Sequence, residues 1–170
     1  NKHVIERSIQ GTLVLNVSRI GEPLERSHPQ QIVLDRFAER WMMHPEPNVD
    51  LAILPLTDIA NDIAAQGNTI HLTHVARDNI PTDDQLTDLR ALENVVMVGY
   101  PNGVWDSRNN LPVIRTGVTA TPPFVDYQEE PVFLIDAACF PGSSGSPVYL
   151  YDSGGFQDRS GNINIATRVY

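Results

Sequence analysis

The sequence is poor in cysteine and lysine, and its positive charge is not clustered. Cys139 is the single cysteine of the 170 residues, so no disulfide can form within the chain and its core must hold the fold together. Eleven of the 12 basic residues are arginines scattered along the chain, against 21 acidic residues, which gives a formal net charge of −9. Because phosphate binding needs clustered positive charge, we expect no nucleic-acid partner.

Long apolar runs are also missing. No stretch reaches the roughly 18 to 20 apolar residues that cross a bilayer, and no basic stretch followed by an apolar one opens the sequence. We therefore expect no membrane segment and a cytoplasmic location, with the periplasm as the alternative. With 41% apolar and 19% charged residues, the chain can build one ordinary core or one slightly divided domain.

Short β-type runs separated by turn residues dominate the chain, which predicts an all-β sandwich or barrel. The predicted strands are 12–17, 31–34, 51–54, 69–72, 95–99, 113–120, 132–135 and 148–151. Helical periodicity is confined to 57–66 and 82–92, and Thr82 can cap the second of these helices. Both helices lie between two β-rich parts of the chain.

Residues 140–149 (FPGSSGSPVY) form a small-residue loop that runs directly into an apolar strand. Gly142 and Gly145 let the backbone turn sharply around Ser144, so that consecutive N–H groups can point at one spot. This arrangement suits a nucleophilic serine beside a developing oxyanion. The alternative is a turn of glycine and serine that does no more than join two strands.

A serine nucleophile needs a base, normally a histidine whose ring is oriented by a carboxylate. His3 stands near the start of the sequence, and Asp50 stands at the mouth of the apolar run 51–54. Taken singly, His3 could be a frayed terminal residue and Asp50 an ordinary turn residue.

Chain order removes most other catalytic schemes. An α/β-hydrolase needs a histidine after its serine, but the last histidine is His74, and the glycines around Ser144 do not fit its elbow motif. A papain-like order fails because Cys139 follows every histidine. A Ser-Lys dyad could use only Lys2, so the order His3, Asp50, Ser144 is favoured.

Three segments resemble the motifs of chymotrypsin-like, or trypsin-like, serine proteases, in the disulfide-free bacterial branch that includes the HtrA/Deg proteases. Residues 1–5 (NKHVI) are similar to the histidine motif, 49–54 (VDLAIL) to the aspartate motif and 142–147 (GSSGSP) to the serine motif. The runs 95–103 and 113–120 are similar to the first strands of that family's second barrel.

The resemblance implies a double β-barrel with short connecting helices and an active site in the cleft between the barrels. The N-terminal barrel would span 1–66, the connector 67–94 and the C-terminal barrel 95–170. Because family members have further strands at both ends, we expect both barrels to be incomplete and more residues to exist before Asn1 and after Tyr170. A leader could then precede Asn1, which keeps the periplasmic alternative open.

The same resemblance implies a serine endopeptidase that hydrolyses peptide bonds through an acyl-enzyme. Ser144 would be the nucleophile, His3 the base and Asp50 the group that orients the base. The backbone N–H groups of Gly142 and Ser144 would form the oxyanion hole. Ala138 would lie at the base of the substrate pocket, which predicts a small or medium apolar residue before the scissile bond.

The expected partner is a protein or peptide substrate, with no cofactor and no metal; the oligomeric state is open. His71 and His74 lie three residues apart in a strand-like run, so we expect them on opposite faces, where they cannot share a metal ion. Two other functions remain open. The chain could be a catalytically silent trypsin-like domain that binds peptides or proteins, or a structural domain that assembles through exposed sheet edges.

Overall fold

A computed structural model describes residues 2–170, and most of their regular structure is β-strand. This confirms the all-β fold class. The strands pair into open sheets, and no closed barrel forms within these residues. The chain divides into two compact units, which we call the first unit (Asn1–Thr73 with Asp106–Leu111) and the second unit (His74–Trp105 with Pro112–Tyr170).

The first unit contains helices α1 (Lys2–Glu6) and α2 (Thr57–Ala65), 3-10 turns at Leu24–Arg26 and Phe37–Arg40, and the strands β1 (Gly11–Arg19), β2 (His28–Leu34), β3 (Met42–Met43), β4 (Ala52–Ile53) and β5 (Asn68–His71). An antiparallel sheet has the order β2-β1-β5, and β3 pairs with β4. Strand β5 belongs to this sheet although its residues lie in the segment 67–94 that we expected to be a connector. The expected barrels themselves stay a prediction.

The core of the first unit forms where α2 packs on the sheet. Ile59 and Ile63 are four residues apart, so they share one face of the helix and pack with Val17 of β1 and Leu34 of β2. All four are at most 7% exposed. The expected helix is confirmed, and Gly67 follows it with φ 78°, a left-handed conformation that lets the chain turn towards β5.

The second unit contains helix α3 (Asp83–Thr87), 3-10 turns at Arg77–Asn79 and Pro101–Gly103, and the strands β6 (Asn94–Gly99), β7 (Val113–Thr119), β8 (Ile135–Ala137), β9 (Val148–Asp152), β10 (Phe156–Gln157), β11 (Ile163–Asn164) and β12 (Arg168–Val169). Five of these strands form an antiparallel sheet in the order β12-β9-β6-β7-β8, and β10 pairs with β11. Alternation along β6 buries Val95 and Met97, and Leu150 of β9 lies opposite Val95.

A buried ion cluster ties β12 to the rest of this sheet. Arg168 donates from Nε (3.0 Å) and Nη2 (2.7 Å) to Asp152 Oδ2, and from Nη2 to Glu93 Oε2 at 2.6 Å. Its guanidinium also lies 4.0 Å from the centre of the Phe156 ring. Burial alone would lower the pKa of Arg168, but the hydrogen bonds to Asp152 and Glu93 raise it above its ordinary value. Such a paired and hydrogen-bonded arrangement is what a buried charge requires.

Two predicted elements are corrected. The strand expected over 132–135 is wrong, because the ladder strand is β8; Val132 N–H instead turns back to the Glu130 carbonyl, and Leu134 N–H donates to the Thr121 hydroxyl. The helix expected over 82–92 ends at Thr87. Its cap is as predicted, since the Thr82 hydroxyl accepts from Gln85 N–H.

The shorter helix has a local cause in the residues that follow it. Arg90 N–H donates to Glu93 Oε1 at 2.7 Å, and the Thr119 hydroxyl donates to the Ala91 carbonyl at 2.7 Å. In a longer helix the Arg90 N–H would donate to the Leu86 carbonyl, so its bond to Glu93 replaces the helical one. No helix of residues 2–170 is long and apolar enough to cross a membrane.

Candidate active site

His3 lies on α1, a single helical turn that the sequence did not predict. Ile5, two residues on, is 2% exposed and fixes the helix to the first unit, while Ser8 caps its end through N–H and hydroxyl bonds to the carbonyls of Ile5 and Val4. His3 is therefore held on an ordered turn while its ring stays exposed. Asn1, which opens the histidine motif, lies outside the described residues.

Asp50 lies directly against His3. Its Oδ2 is 2.6 Å from His3 Nδ1, and its Oδ1 accepts the backbone N–H of Lys2 at 2.6 Å. Both oxygens of one carboxylate are thus engaged by adjacent residues of α1. The Lys2 ammonium donates in turn to the Glu46 carbonyl at 2.7 Å, which holds α1 against the loop that carries Asp50.

This contact determines what the imidazole can do. A carboxylate at Nδ1 favours the tautomer with hydrogen on Nδ1, which leaves the Nε2 lone pair free to accept a proton. Within the described part of the first unit, Nε2 makes no hydrogen bond. The side chains of His3 and Asp50 are 50% and 44% exposed, so a reacting group can approach the ring.

Ser144 lies in the second unit, on the segment 140–146 that we call the serine loop. Two hydrogen-bonded turns follow one another there: Ser143 N–H donates to the Phe140 carbonyl (2.9 Å), and Ser146 N–H to the Ser143 carbonyl (3.0 Å). The third position of each turn is a glycine of positive φ, Gly142 at 86° and Gly145 at 84°.

The double turn exposes Ser144 and both expected oxyanion donors. Ser144 itself is exposed, and its side chain hydrogen-bonds no other described residue of the second unit. The N–H groups of Gly142 and Ser144 likewise have no partner among the described residues of this unit. A Cβ at position 142 would come within 3.0 Å of the Tyr100 carbonyl, so glycine is needed where the loop passes the turn at Pro101–Gly103.

Ala138 is exposed immediately after β8, two residues beyond Asp136, which is also exposed. Its carbonyl accepts from Arg115 Nη1 at 2.7 Å, and the same nitrogen donates to Ser143 Oγ at 2.8 Å. Sequence reasoning missed Arg115. The available signal was a charged residue on the inward face of β7, opposite the buried Met97 of β6.

A second serine-histidine pair occurs in the first unit. Ser18 Oγ lies 2.7 Å from His71 Nε2, and sequence reasoning did not anticipate this contact. Ser18 is 2% exposed and also bonds the carbonyls of Arg19 and Glu22, so its hydroxyl is a satisfied structural group that no substrate can reach. No group of three or more metal-ligating side chains forms among residues 2–170.

The predicted site residues therefore form two local arrangements. The structure brings His3 and Asp50 together in the first unit, and it places Gly142, Ser144 and Ala138 along the loop region of the second. Comparison of the chain with family models, with curated proteins and with solved structures gives no match.

Proposed function

We propose that this chain is a serine endopeptidase of the trypsin-like kind, with Ser144 as nucleophile, His3 as general base and Asp50 as the residue that orients the base. The observation that carries the proposal is the contact of His3 Nδ1 with Asp50 Oδ2 at 2.6 Å between residues 47 positions apart. The finer fold, two incomplete barrels of trypsin-like type over 1–66 and 95–170, belongs to the same proposal.

The reaction would run in two halves. Ser144 Oγ adds to the substrate carbonyl carbon while its proton passes to His3 Nε2, and the tetrahedral intermediate collapses as that proton goes to the leaving amine. Water then adds to the acyl-enzyme with His3 again as base, which releases the acid and restores Ser144. The N–H groups of Gly142 and Ser144 would hold the oxyanion, and a lost donor of this type slows turnover by about 10²- to 10³-fold.

Asp50 has a defined part in this scheme. One oxygen fixes the ring through Nδ1, and the other is held by Lys2 N–H, so the carboxylate cannot swing away from the imidazole without losing both contacts. Its negative charge stabilises the imidazolium that forms when Nε2 takes the proton. Surface pairs of this exposure add little to stability, which favours a chemical over a structural reason for the geometry.

The deciding experiment is labelling with a fluorophosphonate, in which an activated serine oxygen displaces fluoride from phosphorus. We expect stoichiometric labelling of the folded protein, mapped to Ser144 by tandem mass spectrometry, and strong loss of labelling in His3→Ala. Ser153→Ala, an exposed turn serine of the same unit, is the matched control and should label normally.

Two outcomes would contradict the proposal in different ways. A label on Ser143 would show that the nucleophile is assigned to the wrong serine. A folded protein that takes no label would remove the enzymatic reading and favour the catalytically silent binding module.

A further inference from the structure

Arg115 lies beneath the serine loop and contacts it at two places. From β7 its Nη1 donates to Ser143 Oγ at 2.8 Å and to the Ala138 carbonyl at 2.7 Å. Ala138 stands where the chain leaves β8, and Ser143 immediately precedes Ser144. Arg115 Nη1 therefore holds two points of the chain at once: Ala138, which leads from β8 into the serine loop, and Ser143, which precedes the proposed nucleophile.

Ser143 connects the two turns of the loop. Its N–H donates to the Phe140 carbonyl, its carbonyl accepts from Ser146 N–H, and its Oγ accepts from Phe140 N–H at 3.2 Å as well as from Arg115. Both turns depend on this one residue. Any movement of Ser143 would also move the peptide groups of Gly142 and Ser144, whose N–H groups are the expected oxyanion donors.

The rest of the Arg115 guanidinium has an unusual environment. Its Nε and Nη2 are buried and have no hydrogen-bond partner among residues 2–170. A Cβ at Gly99 would lie 3.5 Å from Nη2 and would overlap the Ser146 side chain, so glycine leaves room there for both groups. Buried donors without partners are rare in native proteins, and such local violations concentrate at functional sites.

We propose that Arg115 is a positioning residue for the reaction: through Ser143 it holds Ser144 and the N–H groups of Gly142 and Ser144 in the geometry that chemistry needs. The inference rests on the proposed function and extends it to a residue that touches no substrate. Small displacements of reacting groups can reduce rates by about 10²-fold, so a residue of this kind affects the chemical step more than binding.

The test separates these two steps with the fluorophosphonate itself as probe. We expect Arg115→Met to lower the maximal labelling rate, kinact, by about 10- to 100-fold while KI changes less than threefold. Arg115→Lys, which keeps a cationic nitrogen that can donate, should recover part of the rate. Arg159→Met is the matched control, because Arg159 is an exposed arginine of the same unit that donates to the Thr87 carbonyl away from the loop.

Ser143→Ala provides a second route if Arg115→Met fails to fold. It removes the acceptor instead of the donor, so it should reduce kinact in a folded protein. If Arg115→Met folds, the double variant should lose less than the product of the two single effects.

The possible failures can be told apart. Normal wild-type labelling with unchanged kinact in both Arg115→Met and Ser143→Ala would overturn this inference and leave the proposed function intact. The inference would also fail if the variants changed only KI, or only the thermal midpoint. A wild-type protein that takes no label would contradict the proposed function and this inference together.

Discussion

Two arginines of the second unit, Arg168 on β12 and Arg115 on β7, belong to the same five-stranded sheet. Their guanidinium groups differ in how completely they are hydrogen-bonded. Arg168 uses Nε and Nη2 on Asp152, uses Nη2 again on Glu93 and stacks on Phe156. Arg115 pairs through Nη1 alone, and its Nε and Nη2 are buried without partners in the described chain. The Nε and Nη2 atoms of the guanidinium are therefore hydrogen-bonded in Arg168, whereas the same two atoms of Arg115 have no partner among the described residues.

The difference separates stability from function. A buried cation paired with two carboxylates fastens β12 to β9 and to the start of β6, and none of the three residues belongs to the serine loop. An incompletely paired cation is harder to explain by stability, and this one lies against the residue that precedes Ser144. We therefore expect substitution of Arg168 to lower the free energy of unfolding. Substitution of Arg115 or Ser143 should instead lower activity in a protein that still folds.

The largest expected effect is that of Ser144→Ala. Because triad members act as a unit, turnover of a fluorogenic peptide substrate should fall by about 10⁶-fold, and the thermal midpoint should stay as in wild type because Ser144 is exposed. Kinetic assay and thermal melting of the same sample check both expectations. Retention of full activity would show that Ser144 is not the nucleophile.

Asp50→Asn should follow, with a loss of about 10⁴-fold in kcat, because the amide group at Nδ1 favours the wrong tautomer of His3. Stability should change little, since the pair is about half exposed. Asp62→Asn, an exposed acid on α2 of the same unit, is the control. A drop smaller than tenfold would remove Asp50 from the mechanism.

Arg168→Met tests the stability side of the comparison. It leaves Glu93 and Asp152 buried without their cation, so the free energy of unfolding should fall by about 3–5 kcal/mol, measured by urea titration. In the protein that remains folded, kinact should match wild type. A large loss of kinact with little loss of stability would break the distinction between the two arginines.

The residue before the scissile bond gives the next effect. Ala138, the expected base of the pocket, carries no charge, so a substrate Arg or Lys would be buried there without a partner. We expect apolar residues to exceed Arg and Lys by about 10²-fold in kcat/KM across a peptide library. The opposite preference would point to Asp136, and Asp136→Asn should then abolish it.

The smallest effect concerns an exposed cap in the second unit. Thr82→Ala removes the hydroxyl that accepts Gln85 N–H, which should lower the free energy of unfolding by about 1 kcal/mol. Thr82→Ser keeps the acceptor and should be close to neutral in the same urea titration. A loss as large as that of Arg168→Met would mean that exposed polar contacts carry as much stability as the buried cluster.

Patterns with strong local causes were predictable. Helix α2 follows from the spacing of Ile59 and Ile63, and its end from Gly67. The cap at Thr82 and the strands β1, β6 and β9 were likewise predicted with small errors at their ends. The strand expected over 132–135 was wrong, because the Leu134 N–H donates to the hydroxyl of Thr121, 13 positions earlier, and not to a neighbouring strand.

The candidate site likewise has features that neighbouring residues predict and features that depend on residues far away in the sequence. Residue types and chain order indicated His3, Asp50 and Ser144, and the glycines around Ser144 indicated a sharp loop. The helical turn that carries His3 was missed, because its stability comes from burying Ile5 and from Lys2 contacts with Glu46 and Asp50. Arg115 was missed because its partners, Ala138 and Ser143, are more than 20 positions away.

The sequence by itself determined the β-rich character, the helix at α2, the absence of internal disulfides and the small-residue loop around Ser144, since each depends on neighbouring residues or on composition. The tertiary structure alone decided that Asp50 meets His3, that Nε and Nη2 of Arg168 are paired and that the same two nitrogens of Arg115 are not. Those outcomes depend on which distant groups the sheets bring within about 3 Å, the range in which hydrogen bonds form. A linear pattern contains no record of such distances.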